Sequence, residues 1–236
     1  MCLLHHRWPA SIHASLVSVK ILSAMVESNT PGPRILVWGS SCAGKSTLAA
    51  HFANELNLKL VDLDALNWLP GWVGLNTQDP DRFVERMKVA TAGNNWVVSG
   101  SYSDLAKPVF WSRITDVVWL DLPYHTLIYR CLTRSWERSR SKKLLWGTCR
   151  ESFLTHLVVW REESLLYWIT RNFWRRRRHS FNYISDGTWQ NARVVRITSA
   201  RELETYLTSI GLPFKSAIED LETAPVAEEF LPEEAG

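Results

Sequence analysis

The feature that most constrains this chain is nine residues long: Gly39-Ser40-Ser41-Cys42-Ala43-Gly44-Lys45-Ser46-Thr47. It follows the apolar run Arg34-Ile35-Leu36-Val37-Trp38 and precedes a helical spacing that begins near Lys45. Strand, glycine loop and helix thus stand in the order that the pattern G-x-x-x-x-G-K-S/T demands. In such a loop successive backbone N–H groups converge on phosphate oxygens, and the first turn of the next helix adds its dipole and unpaired donors. The pattern assigns Lys45 to the β- and γ-phosphates of a nucleotide and the Ser46 hydroxyl to Mg²⁺. A chance match in a turn rich in glycine and serine would lack the flanking strand and helix.

A chain of 236 residues holds one substantial α/β core with a subsidiary lid, and is short for two full domains. Its formal charge of +3 hides an asymmetry. Residues 216–236 carry seven acids (Glu219, Asp220, Glu222, Glu228, Glu229, Glu233, Glu234) and no Lys or Arg. Taking those seven from the 24 acids leaves 17 against 27 basic residues, a net of +10 over residues 1–215. That sign suits a polyphosphate and leaves nucleic acid or an anionic membrane surface open. Four scattered cysteines (Cys2, Cys42, Cys131, Cys149), with no C-x-x-C pair and no His/Cys cluster, point to a reduced cytosolic compartment, hence a cytoplasmic protein. No apolar run approaches the roughly 18 residues of a membrane span. Residues 1–33 weakly resemble a targeting segment, but His13, Ser15, Ser18 and Lys20 interrupt the apolar portion. They are expected to be a disordered or spurious extension, with Met25 as an alternative start. The acidic tail from about 215 lacks the apolar surface to order itself.

Along the chain, strand one is expected at 34–38, a helix from Lys45 to about Leu56, and strand two at 58–62, ending in Asp62-Leu63-Asp64. Carboxylates there would face the crevice at the carboxyl ends of parallel strands, and residues two apart on a strand share a face. Residues 65–79, rich in Trp, Pro and Gly, read as an unpatterned loop suited to specificity. A helix from Asp79 to Gly93, strand three at Trp96–Ser99 and strand four at 116–122 follow. The next helix, from about Tyr124, places Arg130 and Arg134 on one side, and a basic segment at about 135–150 (Arg138, Arg140, Lys142, Lys143, Trp146, Arg150) reads as the lid. A helix from about Glu151 to His179 ends in Arg175–Arg178, strand five is Arg193–Ile197, and Ser199 with Glu202 opens the last helix. These alternations make residues 34–214 a parallel sheet covered by helices on both faces.

Several separated stretches together resemble the adenylate-kinase-like P-loop proteins often labelled topology modulation proteins. They are Gly39–Thr47, Leu63-Asp64-Ala65-Leu66-Asn67-Trp68-Leu69-Pro70-Gly71-Trp72, Trp96–Tyr102, Val117–Pro123, and Leu145-Trp146 with Arg150-Glu151. The resemblance covers about residues 34–210. It implies the nucleoside/shikimate kinase fold, a P-loop NTPase sheet of five parallel strands in the order 2-3-1-4-5 with a mobile basic lid, and it gives the reaction class more firmly than the acceptor. Asp62 and Asp64 resemble the D-x-D of shikimate kinase, which implies that Asp62 supports the metal and that Asp64 is the general base. Arg130 and Arg134 resemble the arginine pair that opens the lid in adenylate kinases, which implies adenine stacking for Arg130 and phosphate contact for Arg134. Two departures stand out. Ser99-Gly100-Ser101-Tyr102 replaces the usual Asp-Gly-Asn-Tyr, removing a carboxylate that would hold metal-bound water, and Thr148-Cys149 replaces Gly-Asn in the lid.

The expected function is transfer of the γ-phosphoryl of ATP, with Mg²⁺, to an unidentified small acceptor. The catalytic set is Lys45, Asp64 and Arg134, the nucleotide set is Gly39 to Thr47 with Arg130, and the metal set is Ser46 with Asp62. Each has a plainer account: Asp62 and Asp64 could merely solvate a strand end, Arg130 and Arg134 a helix face. Arg175–Arg178 beside Phe173 and Trp174 would suit nucleic acid, but a solvated helix end complementing the dipole is the simpler account. Trp68 and Trp72 are candidates for stacking on an acceptor ring, and Cys42 for oxidation. A protein that binds ATP and transfers little, or one that acts on nucleic acid, remains the alternative.

Overall fold

The computed structural model describes residues 30–141, 144–145, 149–150 and 164–213. Five strands form one parallel sheet: β1 (Arg34–Gly39), β2 (Lys59–Asp62), β3 (Trp96–Ser99), β4 (Asp116–Leu120) and β5 (Arg193–Ile197), in the order β2-β3-β1-β4-β5. This is an α/β arrangement with the strand order expected from the sequence. The helices of two turns or more are α1 (Lys45–Glu55), α2 (Pro80–Ala90), α3 (Ser103–Phe110), α4 (Tyr124–Ser141), α5 (Leu165–Ser185) and α6 (Ala200–Ser209).

The three central strands are apolar almost continuously, because helices cover both faces of a parallel sheet. Side-chain alternation divides the core in two. Ile35, Val37, Val97, Val118 and Leu120 pack against α1, α4, α6 and the first half of α5. Leu36, Trp38, Trp96, Val98, Val117 and Trp119 pack against α2, α3 and the end of α5. The connections leaving β1 and β3 therefore go to opposite faces, α1 to one and α3 to the other. A crevice opens between them at the carboxyl ends of the strands.

Several expectations are corrected. Residues 65–79 are not an unpatterned loop: a one-turn helix (Leu63–Asn67) leads into a tight hairpin (Trp68–Leu69 with Val73–Gly74) and a second one-turn helix (Leu75–Gln78). Gly71 and Trp72 turn the hairpin with φ of 76° and 63°. The Asn67 side chain accepts from Asn76 N–H at 2.7 Å, and Arg86 donates to Leu66 O at 2.8 Å. These long-range bonds hold a segment that has no period of its own. Helix α3, with Pro108 inside it, was not anticipated. Helix α4 runs on to Ser141, so residues 135–141 of the expected lid are its last turns. Helix α5 begins after Ser164, whose hydroxyl accepts from Tyr167 N–H, and it continues past His179 to Ser185, so Arg175–Arg178 lie inside the helix and not at its end. The folded unit also begins before residue 34, since Gly32 N–H donates to Asp116 and Pro33 O accepts from Trp96 N–H. Residues 1–29, residues 142–143 and 146–148 of the lid, residues 151–163 of the expected long helix and the acidic tail lie outside the described residues.

Candidate functional site

Strand β1 delivers the loop to the mouth of the crevice. Gly39 has φ of 149°, and a Cβ there would lie 2.6 Å from Leu120 O, so only glycine lets β1 end this close to β4. Cys42 and Gly44 take left-handed torsions, φ 63° and 97°, within the loop. Alternating hands of this kind turn successive N–H groups inward into an anion-binding hollow. No side chain caps α1 and no acid stands in its first turn, which keeps its donors open to a ligand. Lys45 folds back over the loop, its Nζ donating to Ser40 O at 2.9 Å. Burial lowers its pKa to about 8 against the opposing pull of Asp64, and Arg176 and Arg134 lower it further. Lys45, Asp64, Arg134 and Arg176, from four separate elements, thus share one electrostatic neighbourhood.

Asp62 and Asp64 are not two residues of one strand. Strand β2 stops at Asp62, which becomes the N-cap of the short helix and accepts from Asp64 N–H at 3.0 Å. Asp64 lies in that helix, where its Oδ1 accepts from Tyr102 at 2.6 Å. Register places Asp62 beside Ser99, and Ser99 beside Val37. Val37 and Val97 belong to the core on the α1 face, so alternation turns Asp62 and Ser99 to that face too. Ser99 is 1% exposed, and its hydroxyl has no hydrogen-bond partner among the described residues. An orphaned hydroxyl in register with a carboxylate, on the face that α1 covers, is a pair of oxygen donors. It fits a hard cation such as Mg²⁺, which keeps several waters and takes few protein ligands.

Arg130 reaches the loop, donating to Ala43 O at 3.2 Å. Arg134 stands one turn further along α4, and its buried Nε has no partner among the described residues. The four arginines of α5 divide by direction. Arg176 is partly buried, with its guanidinium 4.8 Å from the Trp168 ring and 5.9 Å from Trp38, and it donates to Ser101 O at 2.8 Å. Burial lowers its pKa to about 10, with Asp64 opposing. Arg177 pairs with the buried Asp121 at 3.0 Å, while Arg175 bonds Asn172 on its own helix and Arg178 is exposed. A small cavity between Gly39, Ser40, Asp121, Arg176, Arg177 and Ser180 lies beside the start of the loop. Trp68 and Trp72 meet edge to face at 5.5 Å, each serving as the other's aromatic neighbour. Cys42 is buried.

The crevice therefore gathers the loop, Asp62, Asp64, Arg130 and Arg134, and adds three residues to which the sequence assigned no role in the site: Ser101, Tyr102 and Arg176. Ser101 donates its hydroxyl to Gly39 O at 3.0 Å. Ser101 and Tyr102 entered the sequence reading only as part of a departure from the family pattern, although their position after Gly100, at the carboxyl end of a central strand, was a signal. Arg176 carried none, being one of four adjacent arginines.

No protein-family model matches the chain, and no curated protein matches it. Among solved structures, it is similar to the shikimate kinase of Bacteroides thetaiotaomicron at 19% identity, over 80% of this chain and 98% of that one, with a TM-score of 0.46. The shikimate kinase of Aquifex aeolicus vf5 is also 19% identical, over 76% of this chain and 94% of that one, with a TM-score of 0.43. A gluconokinase of Sinorhizobium meliloti 1021 is 16% identical, over 77% and 92%, with a TM-score of 0.40.

Proposed function

We propose that this protein is a Mg²⁺-dependent phosphotransferase of the cytoplasm that moves the γ-phosphoryl group of ATP to a small acceptor held near Asp64. The observation that carries this is the placement of Asp64 within the field of Lys45 across the crevice, at the mouth of an uncapped, glycine-turned loop. Phosphoryl transfer needs positioning and charge neutralisation more than covalent chemistry. The loop from Gly39 to Thr47 would cradle the phosphates, Lys45 and Arg134 would meet the charge that develops on the transferred group, and Arg130 would lie against the adenine. Ser46 and Asp62 would hold Mg²⁺, which when bound neutralises phosphate oxygens. Asp64 would accept the proton of the acceptor hydroxyl as the new P–O bond forms and the bond to the β-phosphate oxygen breaks.

The nucleic-acid alternative draws less support. Arg176 and Arg177 turn inward to the crevice and to Asp121, which removes half of the basic cluster it would use. No helix among the described residues is long and apolar enough to cross a membrane.

The test has two parts. Lys45→Ala should abolish ATP binding followed by tryptophan fluorescence, and unchanged affinity would end the phosphate-loop assignment. Nucleoside monophosphates, small sugars and hydroxy acids, each incubated with ATP and Mg²⁺, should then separate by ADP release above the no-acceptor background.

A further inference from the structure

Asp64 is held at two points. Its backbone N–H is bonded to Asp62 Oδ1, and its carboxylate oxygen Oδ1 is bonded to the phenol of Tyr102 at 2.6 Å. That length lies at the strong end for a hydroxyl donating to a carboxylate. The second oxygen, Oδ2, accepts no hydrogen bond among the described residues.

Tyr102 is itself fixed from behind. Its ring meets the fully buried Phe83 of α2 edge to face, with centroids 5.0 Å apart. Its backbone is set by Gly100, where φ is 135° and a Cβ would lie 2.6 Å from the Leu63 Cβ. Between the two, Ser101 donates to Gly39 O and accepts from Arg176. Residues 100–102 therefore tie the loop, the α5 arginine and Asp64 to one short stretch of backbone. Burial, and after it the negative charge of Asp64, push the proton affinity of the phenol far above its usual value, so it stays a donor across the working pH range.

We infer that Tyr102 is a positioning residue for phosphoryl transfer: by pinning Oδ1 of Asp64 it presents Oδ2 to the hydroxyl of the acceptor. This rests on the assignment of Asp64 to the acceptor side made above. A tyrosine kept only for packing would use its ring against Phe83 and would lose little with its hydroxyl. A positioning tyrosine loses its effect with the hydroxyl, and has none once the carboxylate is gone.

The test is a double-mutant cycle on the full chain with MgATP alone, in which water stands in for the acceptor and ADP release is followed. Tyr102→Phe should lower turnover about tenfold while the KM for ATP and the melting temperature stay close to the parent's. Asp64→Asn should lower turnover by about a hundredfold, the low end for losing a general base. The double variant should match Asp64→Asn, because residues that act as a unit do not add. Parental turnover in Tyr102→Phe, or losses that multiply in the double variant, would overturn the inference and leave the phosphotransferase assignment standing. A parent that binds ATP but releases no ADP, with water or with any acceptor of the panel, would overturn both.

Discussion

Arg176 donates to the backbone carbonyl of Ser101 at 2.8 Å, across 75 residues of sequence, and thereby ties helix α5 to the segment that bonds the start of the glycine loop. Its guanidinium lies over Trp168 and Trp38 with Asp64 acting on it through space. A charge-assisted hydrogen bond of this kind is worth roughly 1.5–3 kcal/mol. Arg176→Gln should accordingly reduce turnover by about ten- to a hundredfold, and ATP titrations should show weaker binding. Arg178→Gln, at an exposed position on the same helix, should change neither.

Asp121 is the structural counterpart of that contact. Its carboxylate is 4% exposed and is bracketed by Arg177 at 3.0 Å and Arg196, whose Nε donates at 2.8 Å. Breaking a buried pair costs about 3–5 kcal/mol, and here the arginines, 34% and 29% exposed, can recover some hydration. Asp121→Ala should therefore destabilise the fold by about 2–3 kcal/mol in urea unfolding at neutral pH.

Gly39 should tolerate no side chain. Alanine there would meet Leu120 O at 2.6 Å in a torsion range that L-residues rarely adopt, φ 149°. Strain of this kind costs about 1–3 kcal/mol, and relief requires β1 and β4 to part at the loop. Gly39→Ala should lower the melting temperature and weaken ATP binding more than tenfold, whereas Gly93→Ala, with open space around it, should do neither.

The start of α6 should give the fold an acid-sensitive increment. Glu202 accepts from Thr198 N–H and hydroxyl, and these bonds hold its pKa below the usual 4.5. A carboxyl depressed in the folded state stabilises above its unfolded pKa, and that contribution disappears as pH falls through the folded value. The difference in melting temperature between the parent and Glu202→Gln should therefore be full at pH 7 and disappear as the pH falls below the usual carboxylate range.

The glycine loop, the five strands and the cap at Ser199 were legible in the sequence because each depends on torsion preferences or spacings within about ten residues. The segment 63–78 was not, since side-chain bonds to single backbone groups, among them Arg86 to Leu66 20 residues away, hold it in place of any period. Helix α3 was hidden by its internal Pro108. The assignment of Asp62 and Asp64 to one strand failed because a capping bond between them starts a helix two residues early.

The site divides along the same line. By itself the sequence determined that a glycine loop, a lysine and a helix N-terminus would meet at the end of a strand, since these are neighbours in the chain. It could not distinguish Arg176 from Arg175 and Arg178. On a helix each residue turns about 100° from the last, and only the packing of α5 against the sheet decides which arginine faces Asp64. Nor could it pair Asp64 with Tyr102, 38 residues away, because that contact exists only once β2 and β3 lie side by side.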